Sequence, residues 1–221
     1  MNEFMYGVLP YIALTIFVGG TIFRYTVYER NWTTKSSEFL SKRDLKWANP
    51  IFHIGLLMAL GGHCVGILVP KFITEAAGTD EHMYHLISLA GGLPAAVLFL
   101  GGFLMLLKRR FAGSDRMHVN TSSMDVLLYL VLFLTIVSGT IGTVSNILGG
   151  FDYRESVSPW FRSVLMLQPD VSLMANVPAI FQFHMLMWMI TAVLFPFTRL
   201  VHCLSFPFEY LFRRNIIYRQ K

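Results

Sequence analysis

Four of the seven histidines in this 221-residue chain stand inside or at the end of stretches that otherwise carry no charge: His53 and His63 in one, His184 and His202 in another. An ionisable side chain in such a stretch is costly to place in a membrane, and it usually faces the protein interior with a function to perform. Neutral imidazole is a good iron ligand. A flat macrocycle that fills the equatorial positions of an iron leaves two axial sites, and two imidazoles on opposite faces close both. A metal so enclosed has no open position for a substrate and suits electron transfer. Four histidines can build two such sites only if the chain brings them together in pairs, so the elements that carry them decide the matter.

Those elements are membrane spans. The chain is 54% hydrophobic and 14% charged, with a mean hydropathy of +0.54, far from the composition of an ordinary soluble domain. Reading from charge to charge gives five uninterrupted apolar segments, expected as helices over about 4–23, 47–70, 84–107, 126–148 and 178–203. About 20 apolar residues at 1.5 Å rise cross a hydrocarbon core of about 30 Å and satisfy their own backbone hydrogen bonds. The fold class is therefore an all-α integral membrane bundle of five transmembrane helices. Residues 149–177 are expected as an outer interfacial cap with aromatic anchors, and 204–221 as a cytoplasmic tail. No repeat or low-complexity tract is evident. Glu3 stands where a signal peptide would be basic, so the first helix is expected to stay in the mature protein.

Orientation follows from the basic residues near the helix ends. Fifteen of the 18 Lys and Arg, from Arg24 through the Lys108-Arg109-Arg110 run to Lys221, fall on one side; only Lys71, Arg154 and Arg162 fall on the other. The basic side is expected in the cytoplasm, with the N-terminus outside and the C-terminus inside the cell membrane. This distribution accounts for the net charge of +5 as a topology signal and excludes nucleic acid as a partner. Cys64 and Cys203 fall near opposite sides of the bilayer, too far apart for a disulfide, and are expected as small core residues.

With alternating helix directions, His63 comes opposite His184 near the outer face and His53 opposite His202 near the inner face. The match is imperfect. The 18 residues from His184 to His202 return to the same helix face and climb about 27 Å, whereas the ten from His53 to His63 climb about 15 Å and rotate about 80° away. Tilt, or a bend at Pro196, would absorb the difference. Gly55, Gly61, Gly62 and Gly66 surround the second-helix histidines, where they either clear room for a porphyrin face or serve close helix packing. Arg109, Arg110 and Arg199 lie at the inner boundary, either as partners of haem propionates or as positive-inside anchors. His118 stands in a basic cytoplasmic loop and is expected to be solvated.

The stretches around these histidines resemble the gamma subunit of respiratory nitrate reductase over nearly the whole chain. The matching segments are Trp-Thr-Thr-Lys-Ser-Ser-Glu-Phe-Leu from Trp32, Phe-His-Ile-Gly from Phe52, Gly-Gly-His from Gly61, the Leu-Lys-Arg-Arg boundary at Leu107 and Phe-Pro-Phe-Thr-Arg-Leu-Val-His from Phe195. The Asp-Glu-His-Met-Tyr-His loop, which holds His82 and His85, and the Phe-Asp-Tyr-Arg cap favour the version found in Gram-positive bacteria. The resemblance implies two stacked b haems, each bis-histidine, with His63 and His184 on the outer one and His53 and His202 on the inner one. It further implies oxidation of menaquinol or ubiquinol near the outer haem in anaerobic respiration. Electrons would pass through the outer and then the inner haem to an iron-sulfur (beta) subunit and a molybdenum (alpha) subunit that reduces nitrate. His82 and His85 are candidates to accept quinol protons or to hydrogen-bond the ring; as loop residues they need no role at all. Some members of the family carry a lysine tied to quinol binding after the second helix, and Met83 stands near that place here. Three alternatives share the topology: a di-haem anchor of another quinol-dependent reductase, a haem-free transporter or metal channel, and a purely structural membrane anchor.

Overall fold

A computed structural model describes residues 2–27, 42–112, 121–147 and 151–204 of the chain. The Trp32 segment, His118, residues 148–150 and nearly all of the tail lie outside the described residues. Among the described residues all regular structure is helical. Within the described residues five helices are long and apolar enough to cross a membrane: Phe4–Val27, Leu45–Leu68, Glu81–Phe111, Ser123–Asn146 and Ala179–Phe197. The helical elements are α1 (Leu9–Val27, after a π-helical turn Phe4–Val8), α2 (Lys42–His63, continued by a π-helical turn Cys64–Leu68), α3 (Lys71–Ala76), α4 (Glu81–Phe111), α5 (Ser123–Ile147), α6 (Val157–Leu165) and α7 (Ala179–Leu194).

The fifth span departs from the single helix expected over 178–203. α7 stops at Leu194, and the chain continues as two 3-10 turns, Phe195–Phe197 and Arg199–Leu204. Pro196 is the physical cause, since it has no N–H to donate and its ring crowds the carbonyl four residues back. His202 therefore lies on a separate turn from His184, and the 27 Å climb of an unbroken helix does not arise. The turn is held from α1: Arg24 Nη1 donates to the carbonyls of Pro196 at 2.6 Å and Thr198 at 3.0 Å, and Phe17 packs edge-on to Phe195 at 4.9 Å.

The spans pack in the order α2, α4, α5, α7, α1. α5 is the most enclosed of them, with 33% of its apolar window buried. Where α2 crosses α4 the helices approach through reciprocal glycines. A Cβ on Gly55 would lie 2.3 Å from the Phe99 nitrogen, and one on Gly102 would lie 2.4 Å from the Phe52 nitrogen. Small residues let membrane helices gain dispersion contacts backbone to backbone.

One end of the bundle carries a packed cap. α6 is amphipathic and buries Val157, Trp160 and Val164 against Tyr6, Met174 and Val177. Trp160, expected among the interfacial anchors, is 3% exposed, and its indole N–H donates to the Tyr6 carbonyl at 3.0 Å. It is core because α6 lies across the bundle end and turns its apolar face inward. Ser158 Oγ and Arg162 Nη1 donate to the carbonyls of Gly66 and Ile67, at 2.9 and 2.8 Å. Both acceptors belong to the last turn of the second span, whose carbonyls lack intrahelical partners. Lys71 bridges α3 to the cap through Glu155 at 2.7 Å. That hydrogen bond raises the lysine above its usual value and holds the glutamate below the ordinary carboxylate range.

The opposite end is tied by charge. Asp125, at the start of α5, receives Arg199 Nε at 2.7 Å and Arg199 Nη2 at 2.6 Å, and Arg110 Nη2 lies 3.4 Å away. The carboxylate joins α4, α5 and the Arg199–Leu204 turn. Cys64 and Cys203 are both free and exposed, so they are not the small core residues expected.

Gly102→Ala is expected to destabilise the detergent-solubilised protein by about 1–3 kcal/mol through overpacking against Phe52. Gly101→Ala, whose Cβ would meet no atom within 4 Å, should leave the thermal unfolding midpoint unchanged. Asp125→Asn should cost about 3 kcal/mol, because it strips the counter-charge from a buried pair. Chemical unfolding with native-like stability in that variant would remove the network from the account of the fold.

Candidate cofactor-binding site

The four histidines come together in two pairs, from α2 and its partner segments across the bundle. His63 faces His184 with ring centroids 6.0 Å apart and planes inclined by 33°. His53 faces His202 at 6.3 Å and 77°. A first-row metal to imidazole bond is about 2 Å, and a ring nitrogen stands about 1.1 Å from the ring centre, so two imidazoles on one metal have centroids about 6 Å apart. Both pairs have this separation.

The hydrogen bonds fix which nitrogen each ring offers. Nδ1 of His53 faces the Asn49 carbonyl at 2.8 Å, Nδ1 of His63 faces Ala59 at 2.7 Å, and Nδ1 of His202 faces Arg199 at 2.7 Å. A carbonyl only accepts, so Nδ1 is the protonated nitrogen, and a neutral ring in this orientation has its lone pair on Nε2. His184 reaches the same state by a second route. Its Nδ1 faces the Thr135 carbonyl at 3.0 Å, and its Nε2 receives the indole N–H of Trp188, a pure donor, at 3.1 Å. In their neutral form the four imidazoles thus present Nε2, with the other nitrogen anchored as metal-ligating histidines require.

Among the described residues there is no cluster of three or more His, Cys, Asp or Glu side chains able to hold a metal ion. A bare tetrahedral zinc would need three or four protein donors. Two donors per site suit a metal whose remaining positions belong to a macrocycle, so the donor set fits a bis-histidine haem. The glycines divide between their two readings. Gly55 packs on α4, and Gly66 lies beneath the Tyr153 hydroxyl, 2.6 Å from a built Cβ; a Cβ on Gly61 or Gly62 would meet no atom within 4 Å.

The arginines named as propionate partners or inner-boundary anchors gather at one end of the bundle. Arg109 and Arg110 are buried at the end of α4, and both Arg110 and Arg199 are paired with Asp125. Asp125 went unnoticed in the sequence because it stands just ahead of the fourth apolar run, although an acid beside that run and opposite an arginine cluster is a readable charge complement. His82 and His85 occupy the first turn of α4, capped by the Asp80 carboxylate, which accepts the Met83 N–H at 2.7 Å. His82 is exposed and His85 half-buried. Neither imidazole makes a hydrogen bond or ring contact among the described residues, and the structure does not bring them into the paired set.

Sequence reasoning missed the surroundings of His184: Thr135, Ser138 and Gly139 on α5, and Trp188 one turn along α7. Only Trp188, four residues from His184, carried a local signal. It also missed the cap's polar cluster, where the Arg154 guanidinium stacks 3.6 Å over Tyr84 and Tyr153 lies beside the Tyr84 hydroxyl. Burial pushes the Tyr153 phenol above its ordinary value, so it stays protonated.

The family model for the nitrate reductase gamma subunit matches residues 2–221. The nitrate reductase gamma chain of Bacillus subtilis is 43% identical over all of this chain and 99% of its own length. The respiratory nitrate reductase 1 gamma chain of Escherichia coli is 32% identical over all of this chain and 98% of its own. The nitrate reductase-like protein NarX of Mycobacterium tuberculosis is 41% identical over all of this chain, which spans 34% of that longer protein. With its whole length matched by the model and by full-length gamma chains, this multi-span chain belongs to the nitrate reductase gamma subunit family, as a subunit of respiratory nitrate reductase.

Proposed function

We propose that the chain is the quinol-oxidising cytochrome b subunit of that complex, with one b haem held by His63 and His184 near the outer face and a second held by His53 and His202 near the cytoplasmic face. The reading rests on one observation above all: two imidazole pairs with centroids 6.0 and 6.3 Å apart, each ring anchored through Nδ1. When bound, the haems supply one-electron transfer between quinol outside and an iron-sulfur partner subunit inside, which serves a molybdenum subunit that reduces nitrate. The chain's residues bind and orient. The backbone carbonyls of Asn49, Ala59, Thr135 and Arg199 keep Nδ1 protonated and aim Nε2 inward. Trp188 gives up the His184 lone pair on ligation, at a cost of about 1 kcal/mol. Arg110 and Arg199 each donate to Asp125, so a haem carboxylate at this end would share guanidinium groups already paired, with Arg109 beside them.

The cap end is assigned to the outside and the basic end to the cytoplasm, which puts the N-terminus out and the C-terminus in, in the cell membrane. The crowding of Lys108, Arg109, Arg110 and Arg199 at one end supports this. His82 and His85 then stand at the outer face, where they are assigned to receive protons from menaquinol or ubiquinol. Electrons moving inward while protons leave outside work against an inside-negative potential, at about 2.3 kcal/mol per charge per 100 mV.

Pyridine haemochrome quantitation of the purified protein should give two b haems per chain, falling to one in His63→Ala, His184→Ala, His53→Ala or His202→Ala. Two haems retained in any of these variants would overturn the ligand assignment, and no haem in the wild type would favour a transporter. Quinol oxidation by the reconstituted complex should generate a membrane potential; turnover without one would refute the assignment of quinol to the outer face.

A further inference from the structure

Three of the four imidazoles are anchored within their own helical segment, three or four residues back along the chain. His184 is the exception. Its Nδ1 reaches across to α5, where the Thr135 carbonyl and Ser138 Oγ both lie at 3.0 Å. Ser138 is 2% exposed, and its hydroxyl donates to the Thr135 carbonyl at 3.0 Å. With its proton committed there, the hydroxyl presents a lone pair to the ring, and the Nδ1–H is shared between two acceptors. The neighbouring position is shaped for the same ring, since a Cβ on Gly139 would lie 2.8 Å from His184 Cε1. The segment is tied laterally as well, by Thr135 Oγ1 against Thr191 Oγ1 on α7 at 3.4 Å.

We propose that Ser138 is a positioning residue that tunes the cofactor held by His184: its buried hydroxyl, joined to the Thr135 carbonyl on α5, fixes the imidazole and strengthens Nε2 as an electron donor at this pair alone. The proposal rests on the haem reading above. An acceptor on Nδ1–H draws the proton away from the ring and gives the imidazole partial anionic character, so Nε2 becomes more basic. A stronger axial donor favours the oxidised metal and lowers its reduction potential. Serine in a membrane helix commonly bonds its own carbonyl three or four residues back, and Ser138 does this too. The cross-helix contact to a ring nitrogen is what that habit does not account for.

The test is a redox titration of both b haems in the intact complex, with haem quantitation, for wild type, Ser138→Ala and Ser138→Thr. The Thr135 carbonyl persists in both variants, so two haems should be retained. In Ser138→Ala the haem that His184→Ala removes should shift to higher potential while the other stays put, and Ser138→Thr should return it toward wild type. Loss of that haem in Ser138→Ala would show a merely structural role and overturn the proposal. No shift, a shift to lower potential, or an equal change at both haems would overturn the proposal. If the wild-type complex lacks two haems, or His184→Ala keeps both, the underlying haem reading fails instead, and these controls show which has failed.

Discussion

An imidazole in a hydrocarbon environment must place its N–H on an acceptor, because water is not there to take it and an unsatisfied polar group costs several kcal/mol. That constraint links the ring orientation to the choice of ligand nitrogen. In each of the four rings Nδ1–H goes to a backbone carbonyl, so the remaining lone pair is Nε2, the nitrogen farther from the helix that carries it. A helix supplies such carbonyls only to residues on itself or on a neighbour in close contact. The bundle is therefore committed to intact helical turns ahead of His53, His63 and His202, and to an α5 surface against which His184 can lie.

The helices are interrupted close to the paired rings. α2 is regular from Lys42 through His63 and loosens into a π-helical turn only after the second histidine. α7 is regular past His184 and stops at Leu194, after which Pro196 redirects the chain into the turn that carries His202. Each break frees carbonyls, and each is answered locally. Ser158 and Arg162 from the cap take those of Gly66 and Ile67, while Arg24 takes those of Pro196 and Thr198. The cap and α1 thus hold in place the two helix ends next to the imidazoles.

Much of this was legible in the sequence because the bilayer makes hydropathy and charge unusually informative. Five apolar runs gave five spans, and depth along them paired His63 with His184 and His53 with His202. The reading failed where a contact between distant segments decided the outcome. Trp160 resembles an interfacial anchor until α6 is laid across Tyr6. Arg199 resembles a topology signal until Asp125, 74 residues away, takes its guanidinium on two nitrogens. Gly55 and Gly62 are equivalent in sequence, yet one touches the α4 backbone and the other does not. Ser138 and Gly139 carry no local signal, since their importance comes from the ring of another helix.

The two ends of the molecule anchor their histidine pairs by different physics. At the cap end His184 is fixed by neutral hydrogen bonds from α5, and the surrounding turn is backed by the apolar core of Tyr6, Trp160 and Met174. At the basic end His202 hangs from the Arg199 carbonyl, and Arg199 is itself held by the Asp125 carboxylate. The first arrangement depends on packing and is insensitive to salt; the second depends on a charge pair partly open to the boundary and screens with ionic strength.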